Sequence, residues 1–221
     1  PLYSSAASDV YKRQAGELFG LGRETGIDLP SESRGLLPSR EYYNKRFGRG
    51  RWTRGHLLNI SIGQGDLLAT PVQLCVLTSV VANGGYRVTP HLVRWIVDQD
   101  GKKRRGHRNA PVTVRGLGER TLAILARSME AVVQGEHGTG RAARVQGLRV
   151  AGKTGTSQNP HGEDHALFAA YAPADRPTIV LAIVMENAGH GGAMAAPIAG
   201  RVLARYTEII ADRDLTGGEN R

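Results

Sequence analysis

Apolar residues follow two periods along this chain, and the second half keeps them more strictly than the first. Leu122, Leu125, Met129, Val132 and Val133 recur at spacings of three and four. That spacing predicts a helix with one apolar face over Glu119–Gln134, stopped by the glycines at 135, 138 and 140. Strand-like segments follow at 148–156, 166–172 and 178–186. The last holds the unbroken apolar run Ile179 to Val184, which predicts a central strand covered on both faces. The turn Ala174-Asp-Arg-Pro177 makes the last two strands a hairpin, and Val202, Leu203, Tyr206, Ile209 and Ile210 predict a closing helix over 195–211.

Before residue 119 the pattern is looser. Thr70-Pro-Val-Gln73 places a threonine cap, a proline at the first helical position and a glutamine three residues after the cap, so a capped apolar helix is expected from there to about Ala82, ended by Asn83-Gly84-Gly85. Residues 88–98 and 111–115 are expected to pair as peripheral strands around a basic turn. Residues 15–65, rich in glycine, proline and charge, predict an irregular wrap with short helical turns. The pattern as a whole is that of an α/β (α+β) fold, an antiparallel sheet flanked by helices.

Composition narrows the classes. The 221 residues, 40% hydrophobic, suffice for one ordinary core, and no shift in composition divides them. The single cysteine, Cys75, cannot form an internal disulfide and sits in the apolar run Leu74-Cys-Val-Leu77 as a small buried hydrophobe. No apolar run approaches the roughly 18 residues of a membrane span. The net charge of +9 gathers at 40–54 and at Lys102-Lys-Arg-Arg105. The second cluster reads as a solvated turn and only Tyr42, Tyr43, Phe47 and Trp52 interleave with the first, so an anionic envelope surface or acidic partner is expected and nucleic acid is not.

The chemistry-bearing stretch is Lys153-Thr154-Gly155-Thr156. A cation beside two hydroxyls, on a strand with no side chain at Gly155, can receive a carboxylate and an oxyanion; an exposed strand end with a solvated lysine is the plainer alternative. His161-Gly-Glu-Asp-His165 has metal-ligand residue types, but the flanking proline and strands make it a loop, and no metal or other cofactor is expected. His190 stands between glycines, either lining a cleft rim or occupying a turn. Gln64 and Gly65 read as packing elements.

Four stretches in order carry a resemblance. Thr25-Gly-Ile-Asp-Leu-Pro-Ser-Glu32; Asn59-Ile-Ser-Ile-Gly-Gln-Gly65 with Ala69-Thr-Pro-Val-Gln73; Gly152-Lys-Thr-Gly-Thr156; and Tyr171-Ala-Pro173 leading to Glu186-Asn-Ala-Gly-His-Gly-Gly192 resemble the C-terminal half of class B penicillin-binding transpeptidase domains of the cell-elongation type. The resemblance covers about 15–210. It implies a serine acyl enzyme that transfers peptidoglycan stem peptides and is acylated by β-lactams. Lys153 and Thr156 would be catalytic, with Thr154, Gly155 and Thr156 binding the substrate. It also implies elongation-machinery partners and a place on the periplasmic face of the inner membrane, reached through an N-terminal anchor.

The chain departs from the family pattern upstream. No serine has a lysine three positions later, so the nucleophile motif is missing. Ala7-Ser8-Asp9 has alanine where the second motif needs serine, and Ser157-Gln158-Asn159 abuts the Lys-Thr-Gly stretch and reads as a decoy. Residues 1–14 resemble adapter read-through and 212–221 a polar tail, so 15–211 is expected to be the C-terminal part of an incomplete domain, inactive alone. Leu122, Leu125 and Met129 would then lose part of their cover. A serine β-lactamase or carboxypeptidase and a non-catalytic β-lactam-sensing module are the rival readings.

Overall fold

The computed structural model describes residues 13–61, 63–106 and 109–216, which form two compact units, one ending at Leu117 and the other beginning at Gly118. Most of 1–14 and the last residues of 212–221, the two ends read as tails, lie outside the described residues, as does Ala7-Ser8-Asp9.

The first unit is less irregular than its composition suggests. It contains helices α1 (Arg40–Phe47), α2 (Arg54–Ser61) and α3 (Pro71–Ala82). Ser39 caps α1 by accepting from the Tyr42 N–H at 3.1 Å. Behind it, Tyr43 is buried among Tyr42, Phe47, Trp52 and His56. Burial, with the Asp66 carboxylate nearby, pushes the Tyr43 phenol up to about 12. The capping box at Thr70 and Gln73 forms as its spacing predicts. Gln73 is buried and does more than cap: its amide nitrogen donates to the Arg23 carbonyl at 2.7 Å and the Arg34 carbonyl at 2.9 Å. The chain passes so close here that a Cβ on Gly35, itself at φ +61°, would stand 2.4 Å from the Leu68 carbonyl oxygen.

Two carboxylates close the remaining loops. Glu32 accepts from the Thr25 N–H at 2.8 Å, the Thr25 hydroxyl at 2.5 Å and the Gly26 N–H at 2.9 Å. Asp28 accepts from the Leu92 and Val93 N–H groups at 2.6 and 2.8 Å. The small strands pair otherwise than expected. β1 (Tyr86–Arg87) pairs β4 (Val112–Thr113), while β2 (Trp95–Val97) pairs β3 (Lys103–Arg105), so the basic cluster is itself a strand around the turn at Gly101. Weak alternation in such short segments leaves pairing to the turn, which the sequence marks less clearly than it marks strands.

The second unit is built from α4 (Glu119–Gln134), a 3-10 turn (Arg141–Ala143), β5 (Ala151–Ser157), β6 (His165–Ala172), β7 (Ile179–Met185) and α5 (Ala195–Thr216). The sheet is antiparallel in the order β5-β6-β7, which corrects one expectation: among the described residues the apolar run of β7 is an edge strand, and β6 is central. Ala166, Phe168, Ala170 and Ala172 of β6 are buried in one cluster with Leu181 of β7, Val133 of α4 and Ala195, Ala196, Ala199 and Leu203 of α5. Alanines on both sides let the helix approach the sheet closely. The other face of β7 is less covered, Val184 being 39% exposed. On α4, Leu122, Leu125 and Met129 are half-buried.

Candidate active site

All four candidate site residues lie on β5, which pairs only with β6 and so has a free edge among the described residues. Alternation along the strand places Gly152, Thr154 and Thr156 on the face of Phe168 and Ala166, and Lys153 and Gly155 on the other. The glycine at 152 is a packing requirement, because a Cβ there would stand 2.5 Å from the Phe168 ring. Lys153 is exposed, and its ammonium bends back to donate to the Thr154 carbonyl. The cation is thereby held along the strand that carries the two hydroxyls, although its Cβ points to the opposite face.

Each hydroxyl has a partner from another element. Thr154 Oγ1 lies 2.9 Å from Thr139 Oγ1, in the turn after α4. Thr156 Oγ1 lies 3.5 Å from His190 Nδ1, in the connection from β7 to α5. That connection is tied down on both sides of His190. Upstream, the Ala188 and Gly189 N–H groups donate to the Asp164 carbonyl at 3.0 and 2.8 Å, the Asn187 N–H donates to His165 Nδ1 at 3.0 Å, and the Asn159 amide donates to Asn187 Oδ1 at 2.5 Å. Asn187 itself sits at φ +51°. Downstream, Gly191 lies on the strands: a Cβ there would stand 2.2 Å from the Leu167 oxygen and 2.3 Å from the Gly155 oxygen. Gly192 is equally constrained, its Cβ position lying 2.4 Å from the Thr139 oxygen. Within Gly-His-Gly-Gly, Gly191 and Gly192 are needed because they lie against backbone, and Gly189 because its φ is +75°.

Ser157 is the last residue of β5, and Asn159 lies in the hairpin tip, bonded to Asn187 and Asp164, so the asparagine of the Ser-x-Asn triplet ties the hairpin to the connection that carries His190. His161 and His165 occupy the same hairpin, His161 donating its N–H to Asn159 Oδ1 at 3.0 Å. Among the described residues no three His, Cys, Asp or Glu side chains gather as metal-ion ligands. Gly65, at φ +75°, packs beside Asn59 in the first unit, and Cys75 is half-buried.

A sheet bearing Lys-Thr-Gly-Thr on its free edge, backed by an apolar helix layer, fits the serine acyl enzymes that include the penicillin-binding proteins and β-lactamases. The penicillin binding protein transpeptidase domain matches residues 9–204, and the chain belongs to that family. It is 39% identical over 195 residues to the peptidoglycan D,D-transpeptidase MrdA of Acinetobacter baumannii, covering 80% of this chain and 28% of that protein. Solved penicillin-binding proteins share its fold. Pseudomonas aeruginosa PBP2 in complex with WCK 5153 aligns with a TM-score of 0.76 at 32% identity, over 92% of this chain and 44% of that one. Mycobacterium tuberculosis penicillin binding protein 3 complexed with aztreonam aligns with a TM-score of 0.75 at 31% identity, over 91% and 46%. The chain thus spans less than a third of the curated relative's length.

Thr139 escaped the sequence reading, since nothing in its own neighbourhood marks it. His190 was legible only as a residue between glycines, and the glycines were the signal: they mark where the chain presses on β5.

Proposed function

We propose that the chain is the C-terminal part of a serine-type peptidoglycan D,D-transpeptidase and forms the carboxylate- and oxyanion-binding edge of its active site. The observation that carries this reading is β5, with Thr154 and Thr156 on one face and Lys153 folded along the strand. The Thr154 and Thr156 hydroxyls would donate to the terminal carboxylate of a D-Ala–D-Ala stem peptide, with Lys153 supplying positive charge. The Thr156 N–H would be one of two donors to the oxyanion, worth roughly 3 kcal/mol in the transition state. A serine from residues outside this chain would attack the penultimate carbonyl, and terminal D-Ala would leave as its amine takes a proton. An amine of a neighbouring strand would then take the acyl group, its C–N bond forming as the ester to serine breaks and the amine's proton returns to the serine oxygen. A β-lactam would acylate the same serine.

The resemblance to elongation-type domains is the ground for assigning the chain to cell elongation, and a Helicobacter pylori PBP2 of like fold, solved as a complex with MreC, supports a partner from that machinery. The catalytic unit would face the periplasm, held to the inner membrane by residues outside this chain; no described helix is long and apolar enough to cross a membrane. The missing Ser-x-x-Lys motif is why the chain alone should be inactive. The test joins this chain to the upstream part of Acinetobacter MrdA. The isolated chain should take no covalent label from fluorescent penicillin, and the chimera should be labelled on a serine of its upstream part. Stable labelling of a serine within this chain, or a folded chimera that stays unlabelled, contradicts the reading.

A further inference from the structure

We propose that His190 is a positioning residue for Thr156: it orients the hydroxyl so that its proton points at the substrate carboxylate, and by doing so sets the preference for anionic acyl donors. The inference rests on the reading of β5 as the carboxylate-binding edge. It begins from the 3.5 Å approach of His190 Nδ1 to Thr156 Oγ1.

The imidazole is held there by its backbone. Residues 187–189 are hydrogen-bonded to the β5–β6 hairpin, and the His190 carbonyl accepts the N–H groups of Ala193 and Met194 at 3.1 and 3.0 Å. Gly191 lies directly on the Gly155 and Leu167 backbone. The backbone of the residue in between is thereby fixed beside β5, and its exposed side chain turns to Thr156.

A hydroxyl offers one proton, and its direction decides what it can bind. If Thr156 donates to Nδ1, its lone pairs face the incoming carboxylate and repel it. If Nδ1–H donates to Oγ1, the hydroxyl proton is not spent on the imidazole and can turn to the carboxylate, and the hydrogen bond it makes there is charge-assisted. Only the second arrangement helps an anion to bind, and it requires a donor at the position of Nδ1. Thr154 meets another hydroxyl, Thr139, which can donate or accept. At Thr156 the direction follows the tautomer of His190, and it is the Nδ1–H form that serves an anion.

The test uses four forms of the chimera: wild type, His190→Asn, His190→Ala and His190→Asp. Asparagine keeps an N–H donor near the position of Nδ1, and aspartate keeps its shape while presenting only acceptors. The readout is the second-order acylation rate with benzylpenicillin divided by that with its methyl ester, which lacks the anion. Asparagine should leave this ratio within about twofold, alanine should lower it about three- to tenfold, and aspartate should lower it by more than about tenfold, the range spanned by one charge-assisted hydrogen bond. Equal losses for the acid and the ester in every variant, or an aspartate variant matching the asparagine variant, would overturn the proposal. Lys153→Ala runs beside them: if it alone lowers acylation while the His190 variants behave as wild type, the active-site reading stands and the role of His190 falls. Should the substituted chimeras fail to fold, the isolated chain is titrated with N-acetyl-D-Ala-D-Ala and the His190 ring signals are followed by NMR. A shift that Thr156→Val abolishes supports the proposal, and no shift in the unsubstituted chain overturns it.

Discussion

The first unit closes its loops with polar side chains that reach across long stretches of sequence to backbone groups, whereas the second closes around an apolar layer of sheet and helix. Gln73, Glu32 and Asp28 each satisfy two or more backbone groups from segments with little regular structure of their own. In the second unit Phe168, Leu203 and the alanines of β6 and α5 serve by volume. The physics differs accordingly. Hydrogen-bonded closures fail one at a time and depend on protonation, while a packed layer fails by cavity and is indifferent to pH. The candidate site sits on the packed unit, and the residues that meet its hydroxyls, Thr139 and His190, come from that unit's loops.

The largest expected effect tests the packed layer. Phe168→Ala removes a buried ring against which Gly152 and Gly140 are fitted, and it should cost about 3–5 kcal/mol. A denaturant titration reporting on the second unit checks this, and a loss under about 1 kcal/mol would mean that Phe168 is not central to the layer. Next, Gln73→Leu strands the Arg23 and Arg34 carbonyls and the Thr70 N–H, for roughly 2–3 kcal/mol. Its signature should be local: faster amide exchange at Thr70 and proteolytic cutting within residues 23–36, with the β6 amides unchanged.

Acid should separate the two units. Burial alone would raise the Glu32 carboxyl, but the hydrogen bonds from the Thr25 hydroxyl and the Thr25 and Gly26 N–H groups outweigh it and hold the carboxyl below its usual range. The Leu92 and Val93 N–H groups hold Asp28 low in the same way. A carboxyl whose folded value lies below its unfolded one adds stability above the unfolded value and loses it as pH falls through the folded one. The Thr25, Gly26, Leu92 and Val93 amides should therefore lose exchange protection as pH falls below about 4, while the amides of β6 keep theirs. Simultaneous loss in both sets would erase the distinction. The smallest effect belongs to the exposed Arg205–Glu208 pair, where Arg205→Ala should change stability by less than about 0.5 kcal/mol.

The same contrast explains what could be read from the chain beforehand. Periodicity reveals burial, so α4 was legible to its ends and the three long strands to within a few residues. It does not reveal which strand edge is paired, and that is why the apolar run of β7 passed for a central strand. Side-chain-to-backbone closures have no period at all. The sequence stretch from Thr25 to Glu32 was recognisable as a pattern, but its reason, a carboxylate returning to the amides seven and six residues before it, was visible only in three dimensions. Likewise Lys153 to Thr156 announced themselves by chemistry. Thr139 and His190 arrive from 15 and 34 residues away through glycine-shaped contacts.

The central claim, that β5 is the anion-binding edge of a transpeptidase site, is tested most directly by Lys153→Ala in the chimera. Lys153 is exposed and contributes no core volume, so the substituted protein should melt as wild type does while its rate of acylation by fluorescent penicillin falls at least about tenfold, the scale of one lost charge-assisted contact. A folded variant acylated at the wild-type rate would contradict the account.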